Sequence, residues 1–221
     1  MNHLKFALLI LNGSPPSKTL ISKFWDDAAL RVCTDGAIHI LQQYQLSPEI
    51  ILGDLDSLNK TLEQNYKTSE LIYISDQNTT DGEKAINYCL KKNFDNLIIL
   101  GALGQRSDHW LYNIGLLKYC LKHKLEAKLY SENEELFICN SRVEICEKPG
   151  TTLSIIPIFG EAYIESTTGL KYPIRQQILN LGQYSSISNE FDQSLASIKV
   201  TQGEVLILII RPSSSEKQCL H

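Results

Sequence analysis

The chain has 221 residues, with 21 Lys+Arg against 25 Asp+Glu, a formal net charge of −4 and a hydrophobic fraction of 43%. That length allows one large domain or two small ones, and the composition excludes a disordered or fibrous chain. Mild acidity, with only five arginines in all, argues against a nucleic-acid or anionic-membrane surface, so small molecules or cations are the expected partners.

In chain order, the first apolar run, Phe6 to Leu11, ends at Asn12-Gly13. It is too short for a signal h-region or a membrane span, which predicts a cytoplasmic protein with no membrane partner. Short apolar runs then alternate with helix-length amphipathic stretches, the pattern of βαβ units in a mostly parallel sheet covered on both faces. Strands are expected at Phe6–Leu11, Leu30–Cys33, Ile50–Leu52, Leu71–Ile74, Leu97–Leu100 and Ala127–Tyr130. Thr80-Asp81-Gly82-Glu83 has the form of a capping box, so a helix should start near Asp81. A second should start near Asp108, with Trp110, Leu111, Ile114, Leu117 and Leu121 recurring on one face.

Beyond Ser131 the pattern changes to short alternating runs, Leu136–Ile138, Val143–Ile145, Thr152–Ile156 and Val205–Ile210, divided by turn residues. These predict an antiparallel β-sandwich. The expected organisation is an α/β domain over residues 1–132 and a β-sandwich domain over 133–221. The polar tail from Pro212 to His221 is expected to fray. Six cysteines, at positions 33, 89, 120, 139, 146 and 219, form no C-x-x-C pair. They are expected to be reduced and mostly buried thiols.

In an open α/β sheet, ligands bind outside the carboxyl ends of the strands, so the residues after each apolar run carry the chemistry. The run Leu30–Cys33 leads into Thr34-Asp35-Gly36, Ile50–Leu52 into Gly53-Asp54-Leu55-Asp56-Ser57, Leu71–Ile74 into the stretch from Asp76 to Asp81, and Leu97–Leu100 into the stretch from Gly101 to Asp108. With parallel strands, Asp35, Asp54, Asp56, Asp76, Asp81 and Asp108 converge on one edge. Each alone is adequately explained as a turn residue or N-cap. Together they repel: two carboxylates ~4 Å apart cost roughly 4 kcal/mol at an effective dielectric near 20. A divalent cation relieves that repulsion at neutral pH. Hard oxygen ligands without His or Cys point to Mg²⁺ shared with a polyphosphate, with Asp54-x-Asp56 at its centre and Lys84 and Arg106 supplying positive charge. No P-loop motif occurs.

The ordered blocks Thr34-Asp35-Gly36-Ala37, Gly53-Asp54-Leu55-Asp56-Ser57, Asp76-Gln77-x-x-Thr80-Asp81-x-x-Lys84, Gly101-Ala102-Leu103-Gly104-x-Arg106-x-Asp108-His109, Thr168-Gly169-Leu170-Lys171-Tyr172 and Ser186-Ile187-Ser188-Asn189-Glu190 resemble the thiamine pyrophosphokinase (thiamine diphosphokinase) family from about Leu8 to Leu208. The resemblance implies a Rossmann-like N-terminal domain, a C-terminal β-sandwich, and a homodimer binding thiamine between subunits. It also implies transfer of a pyrophosphoryl group from ATP to the thiamine hydroxyl with release of AMP. Ala37, Gly82, Gln105, Ser107 and Tyr172 depart from the family pattern, and none of these changes removes a charged group. Tyr172 still presents an aromatic face to a cationic ligand, a contact worth roughly 0.5–2 kcal/mol.

On this reading Asp54, Asp56 and Asp81 are the expected Mg²⁺ ligands. Asp108 stands near the same centre, Asp35, Gln77 and Thr80 lie by the ATP, Lys84 and Arg106 steady its phosphates, and Tyr172, Ser188 and Asn189 form the thiamine pocket. Two rivals remain at this point. One is a haloacid-dehalogenase-like phosphatase with Asp54 as nucleophile; the other is a non-catalytic sensor of nucleotide or thiamine.

Overall fold

Ala7–Ile10 is buried throughout and forms β1, flanked on both sides by parallel strands of the first unit. The computed structural model describes residues 5–56 and 65–212, so Ser57 and Cys219, and all of the tail beyond Pro212, lie outside the described residues. The chain divides into two units, Met1–Glu132 and Asn133–His221.

In the first unit β1 is followed by β2 (Leu30–Thr34), β3 (Ile50–Gly53), β4 (Glu70–Tyr73), β5 (Asn96–Leu100) and β6 (Glu126–Tyr130). The strands run in the order β6-β5-β1-β2-β3-β4 and every pairing is parallel. Each lies within one residue of its expected span at either end. Continuous apolar runs make β1, β3 and β5 readable, because both sides of a parallel sheet are covered there, whereas β4 and β6 carry exposed polar residues. The order reverses between β1 and β5, which creates the switch point where α/β sheets bind ligands.

Four helices connect these strands among the described residues: α1 (Lys18–Trp25), α2 (Ile38–Tyr44), α3 (Asp81–Lys91) and α4 (Ser107–Lys122). Ser17 caps α1 through its Oγ, which accepts from the Leu20 N–H at 3.1 Å. The capping box of α3 forms as expected. Thr80 Oγ1 accepts from Glu83 N, and the Glu83 carboxylate accepts in return from Thr80 N at 2.8 Å. Such a box fixes the direction of the first helical turn, and a cap contributes about 1 kcal/mol.

The second unit holds β7 (Glu134–Cys139), β8 (Arg142–Cys146), β9 (Thr152–Ile156), β10 (Ala162–Thr168), β11 (Arg175–Leu179), β12 (Ser186–Glu190), β13 (Leu195–Gln202) and β14 (Val205–Ile210). They form two antiparallel sheets, β12-β9-β14-β7 and β11-β10-β13-β8. Leu153 and Ile207 from one sheet and Ile164 and Ile198 from the other share a single buried core, which makes the unit a sandwich. Burying each such side chain contributes about 1.5–3 kcal/mol.

Candidate active site

At the switch point the loops after β1 and β5 are laced together. Leu11 N donates to Leu100 O at 2.9 Å, Gly13 N to Gly101 O at 2.6 Å and Ser14 N to Leu103 O at 2.7 Å. Only glycine fits at position 13, since a Cβ there would meet Gly101 O at 2.3 Å. Gln105 closes the lacing by donating its amide to Gly13 O at 2.7 Å. Beyond this seam opens a cleft of about 700 Å³, bounded by the carboxyl ends of the strands, the turns that follow them and the first turns of α3 and α4. Asp54, Gln77, Thr80, Asp81, Lys84, Arg106 and Asp108 all line it.

Carboxylate oxygens of Asp35, Asp54 and Asp56 lie within 4.8 Å of one another. Asp35 is 3% exposed. Its Oδ1 accepts from Gly36 N at 2.7 Å, while its Oδ2 is buried without a donor. Burial pushes the Asp35 carboxyl above the usual aspartate range, the Gly36 N–H works against that rise, and the neighbouring Asp81 and Asp54 charges add to it. Asp54 moves the opposite way. The Asp56 N–H, donating to Asp54 Oδ1 at 3.3 Å, holds it below the usual range. Between the two, Leu55 adopts φ 59°, a left-handed conformation costing a non-glycine residue roughly 1–2 kcal/mol.

Asp81 stands apart from that trio and pairs with Lys84, whose Nζ lies 3.0 Å from its Oδ1. Lys84 is buried, so the ordinary alternative of a solvated helix lysine does not hold. Arg106 grips Asp108 with two donors, Nε to Oδ1 at 3.2 Å and Nη2 to Oδ2 at 2.6 Å. This pairing raises the Arg106 pKa and lowers that of Asp108. Asp76 serves its own turn: its oxygens accept from Asn78 N at 2.9 Å and Thr79 Oγ1 at 2.6 Å. Its position after β4 is thus accounted for by turn chemistry, and it does not line the cleft.

Within the second unit Tyr172, Ser188 and Asn189 are neighbours. Asn189 is 1% exposed. It accepts from Tyr172 N at 3.1 Å and donates to Tyr172 O at 2.7 Å, so it holds the backbone that presents the tyrosine. The Tyr172 ring is exposed. Ser188 sits at φ 57° and donates its N–H to Ser154 Oγ at 3.0 Å.

Residues 21–129 match the family description "Thiamin pyrophosphokinase, catalytic domain" and residues 139–205 match "Thiamin pyrophosphokinase, vitamin B1 binding domain". Thiamin pyrophosphokinase 1 of Caenorhabditis elegans is 32% identical over 203 residues, covering 86% of this chain and 83% of that protein. The chain belongs to the thiamine pyrophosphokinase family. Thiamine pyrophosphokinase of Bacillus subtilis is 27% identical over 208 residues, covering 90% of this chain and 96% of that protein. The crystal structure of the Bacillus subtilis protein superposes with a TM-score of 0.83 over 94% of this chain and all of that one, at 24% identity. The yeast enzyme's structure gives a TM-score of 0.80 over 93% of this chain and 86% of that one, at 22% identity. Both share the fold.

Membership makes the protein an enzyme of the thiamine pyrophosphokinase class, and neither the phosphatase nor the sensor reading is favoured. In a thiamine pyrophosphokinase the cleft of the first unit falls in the catalytic domain, and Tyr172, Ser188 and Asn189 fall in the vitamin B1 binding domain. Sequence reasoning passed over the Asn12-Gly13 loop, Tyr112 and Asn113, which also line the cleft. The position of Asn12-Gly13 directly after the first strand was the available signal. Tyr112 and Asn113 read only as parts of an amphipathic helix.

Proposed function

We propose that this enzyme transfers the pyrophosphoryl group of ATP to the hydroxyl of thiamine, giving thiamine diphosphate and AMP, with Mg²⁺ as its metal. The observation that carries this reading is the acidic trio of Asp35, Asp54 and Asp56, whose member Asp54 lines the same cleft as buried Lys84 and Arg106. The donor set fits a hard divalent ion. Three carboxylates offer oxygens within reach of one centre, and the buried Oδ2 of Asp35 lacks any other partner. Asp54 and Asp56 would hold the ion together with Asp35, and Asp81 lines the same cleft as Asp54. When bound, Mg²⁺ supplies charge neutralisation to the polyphosphate.

The remaining work belongs to the chain. Lys84 and Arg106 exchange their present carboxylate partners for phosphate oxygens, and Arg106 can do so with a bidentate grip. Gln77, Thr80 and Asp108 orient the nucleotide around them. Holding the thiamine hydroxyl in line with the β-phosphorus is worth roughly 7–11 kcal/mol in favourable cases. AMP departs as an anion and needs no protein acid. Tyr172, Ser188 and Asn189 receive thiamine, the tyrosine through its ring face. The protein acts as a homodimer, a reading supported by exposed Ile178, Leu181, Tyr184 and Ile187 in the second unit. It works in the cytoplasm, which suits the free and mostly buried thiols among the described residues.

Mixing protein, Mg²⁺, ATP and thiamine tests the proposal by AMP release. Asp54→Asn and Asp81→Asn should each lose most Mg²⁺-dependent AMP formation while remaining folded. Near-parental turnover in both variants would overturn the carboxylate assignment.

A further inference from the structure

Helices α3 and α4 meet along three rungs. Tyr112 Oη donates to Glu83 Oε1 at 3.1 Å, and Tyr119 Oη donates to Asn87 Oδ1 at 2.7 Å. Between them Leu116 lies against Gly82, so close that a Cβ on the glycine would come within 2.5 Å of Leu116 Cδ1. Residues 112, 116 and 119 are spaced four and three apart and therefore share one face of α4. Both helices start at the cleft: α3 carries Asp81 and Lys84 in its first turn, while α4 follows Arg106 and carries Asp108. The seam thus sets the spacing between the two charged turns.

Glu83 is the pivot. Its Oε2 accepts from Thr80 N at 2.8 Å and from Thr80 Oγ1 at 3.0 Å, which completes the cap of α3. Its Oε1 receives Tyr112. The cap is complete without the tyrosine, so the added bond ties the cap to α4. Tyr112 is 51% exposed and lines the cleft, so its ring contributes little to folding. Gly82 is the matching half. Glycine inside a helix is less favourable than alanine, and here the missing side chain is what seats Leu116.

Resting on the ATP reading above, we propose that Tyr112 is a positioning residue: through Glu83 its hydroxyl holds the Asp81–Lys84 turn at its working distance from the Arg106–Asp108 turn.

Tyr112→Phe deletes one hydroxyl and keeps the ring. The expected result is a rise of about tenfold in the ATP KM, and an equal loss of affinity for a non-hydrolysable Mg·ATP analogue by calorimetry. The thiamine KM should stay unchanged, and the melting temperature should move by less than about 2 °C. Glu83→Gln combined with Tyr112→Phe should be no worse than the more damaging single change, since both cut the same link. Gly82→Ala reaches the turn from the other side. It should also weaken the analogue, and Leu116→Ala added to it should restore binding. The inference is overturned by Tyr112→Phe with analogue affinity within twofold of the parent, or by ATP and thiamine constants worsening together in step with lost stability. A parent protein that releases no AMP would sink the kinase reading, and the analogue affinities would still decide the role of Tyr112.

Discussion

A Cβ at Gly53 would lie 2.5 Å from both Cγ and Oδ1 of Asp35, so the bare flank of the glycine is the seat of that carboxylate. β2 and β3 are adjacent, with Thr34 opposite Leu52 in register. The two residues that follow this pair, Asp35 and Gly53, therefore meet.

Gly53→Ala is expected to push Asp35 out of the acidic trio. Mg²⁺-dependent AMP formation should fall by about 100-fold, the scale of an ångström-sized misplacement, with the Mg²⁺ requirement shifted to higher concentration. A Mg²⁺ titration of initial rates checks this, and an unchanged half-saturating concentration would refute it.

Asp35→Asn separates metal binding from folding. Its raised pKa means the folded protein holds that proton more tightly than the unfolded chain. The stabilising contribution is full below the ordinary value of 3.8 and is lost as pH rises through the folded value. In metal-free buffer the variant should therefore melt at or above the parent temperature near pH 7, with the difference vanishing in acid. Added Mg²⁺ should raise the melting temperature of the parent and leave the variant unmoved. Equal Mg²⁺ shifts in both proteins would exclude Asp35 from the site.

Much of this was legible from residue order. The parallel strands announce themselves because two covered faces demand unbroken apolar runs, as in Leu97–Leu100. β10 to β13 were not identified, since strands such as Arg175–Leu179 and Ser186–Glu190 are largely exposed and carry polar residues. A register irregularity between β10 and β13 further blurs the alternation. Within the site, aspartates after strand ends look alike in a sequence. Burial tells Asp35 from Asp76, and burial depends on Gly53, which is 18 residues away from Asp35 in the chain.

Tyr172 and Asn189 should respond differently to truncation. Tyr172→Ala removes an exposed ring and should raise the thiamine KM more than the ATP KM, with little change in melting temperature. Asn189→Ala strips a buried amide from both backbone groups of Tyr172, so it should also cost about 1–3 kcal/mol of stability. Equal effects of Tyr172→Ala on both substrates would remove the ring from the pocket.

The thiols offer a check on packing. Burial pushes Cys89 and Cys120 up to about 12 and raises Cys33 and Cys139 as well, whereas Cys146 is exposed. Mild alkylation of the native protein at pH 7.5, mapped by mass spectrometry, should modify Cys146 and spare those four, because the thiolate is the reactive form. Early labelling of Cys33 would contradict the packing beneath Asp35.

Leu55, held in its left-handed turn, also packs its side chain onto the core beneath the first-unit sheet. One aliphatic anchor therefore governs the aim of the carboxylates on either side of it. Warming that loosens this anchorage frees the loop before the sheet lets go. Heat should silence the enzyme while its circular dichroism still reads as native.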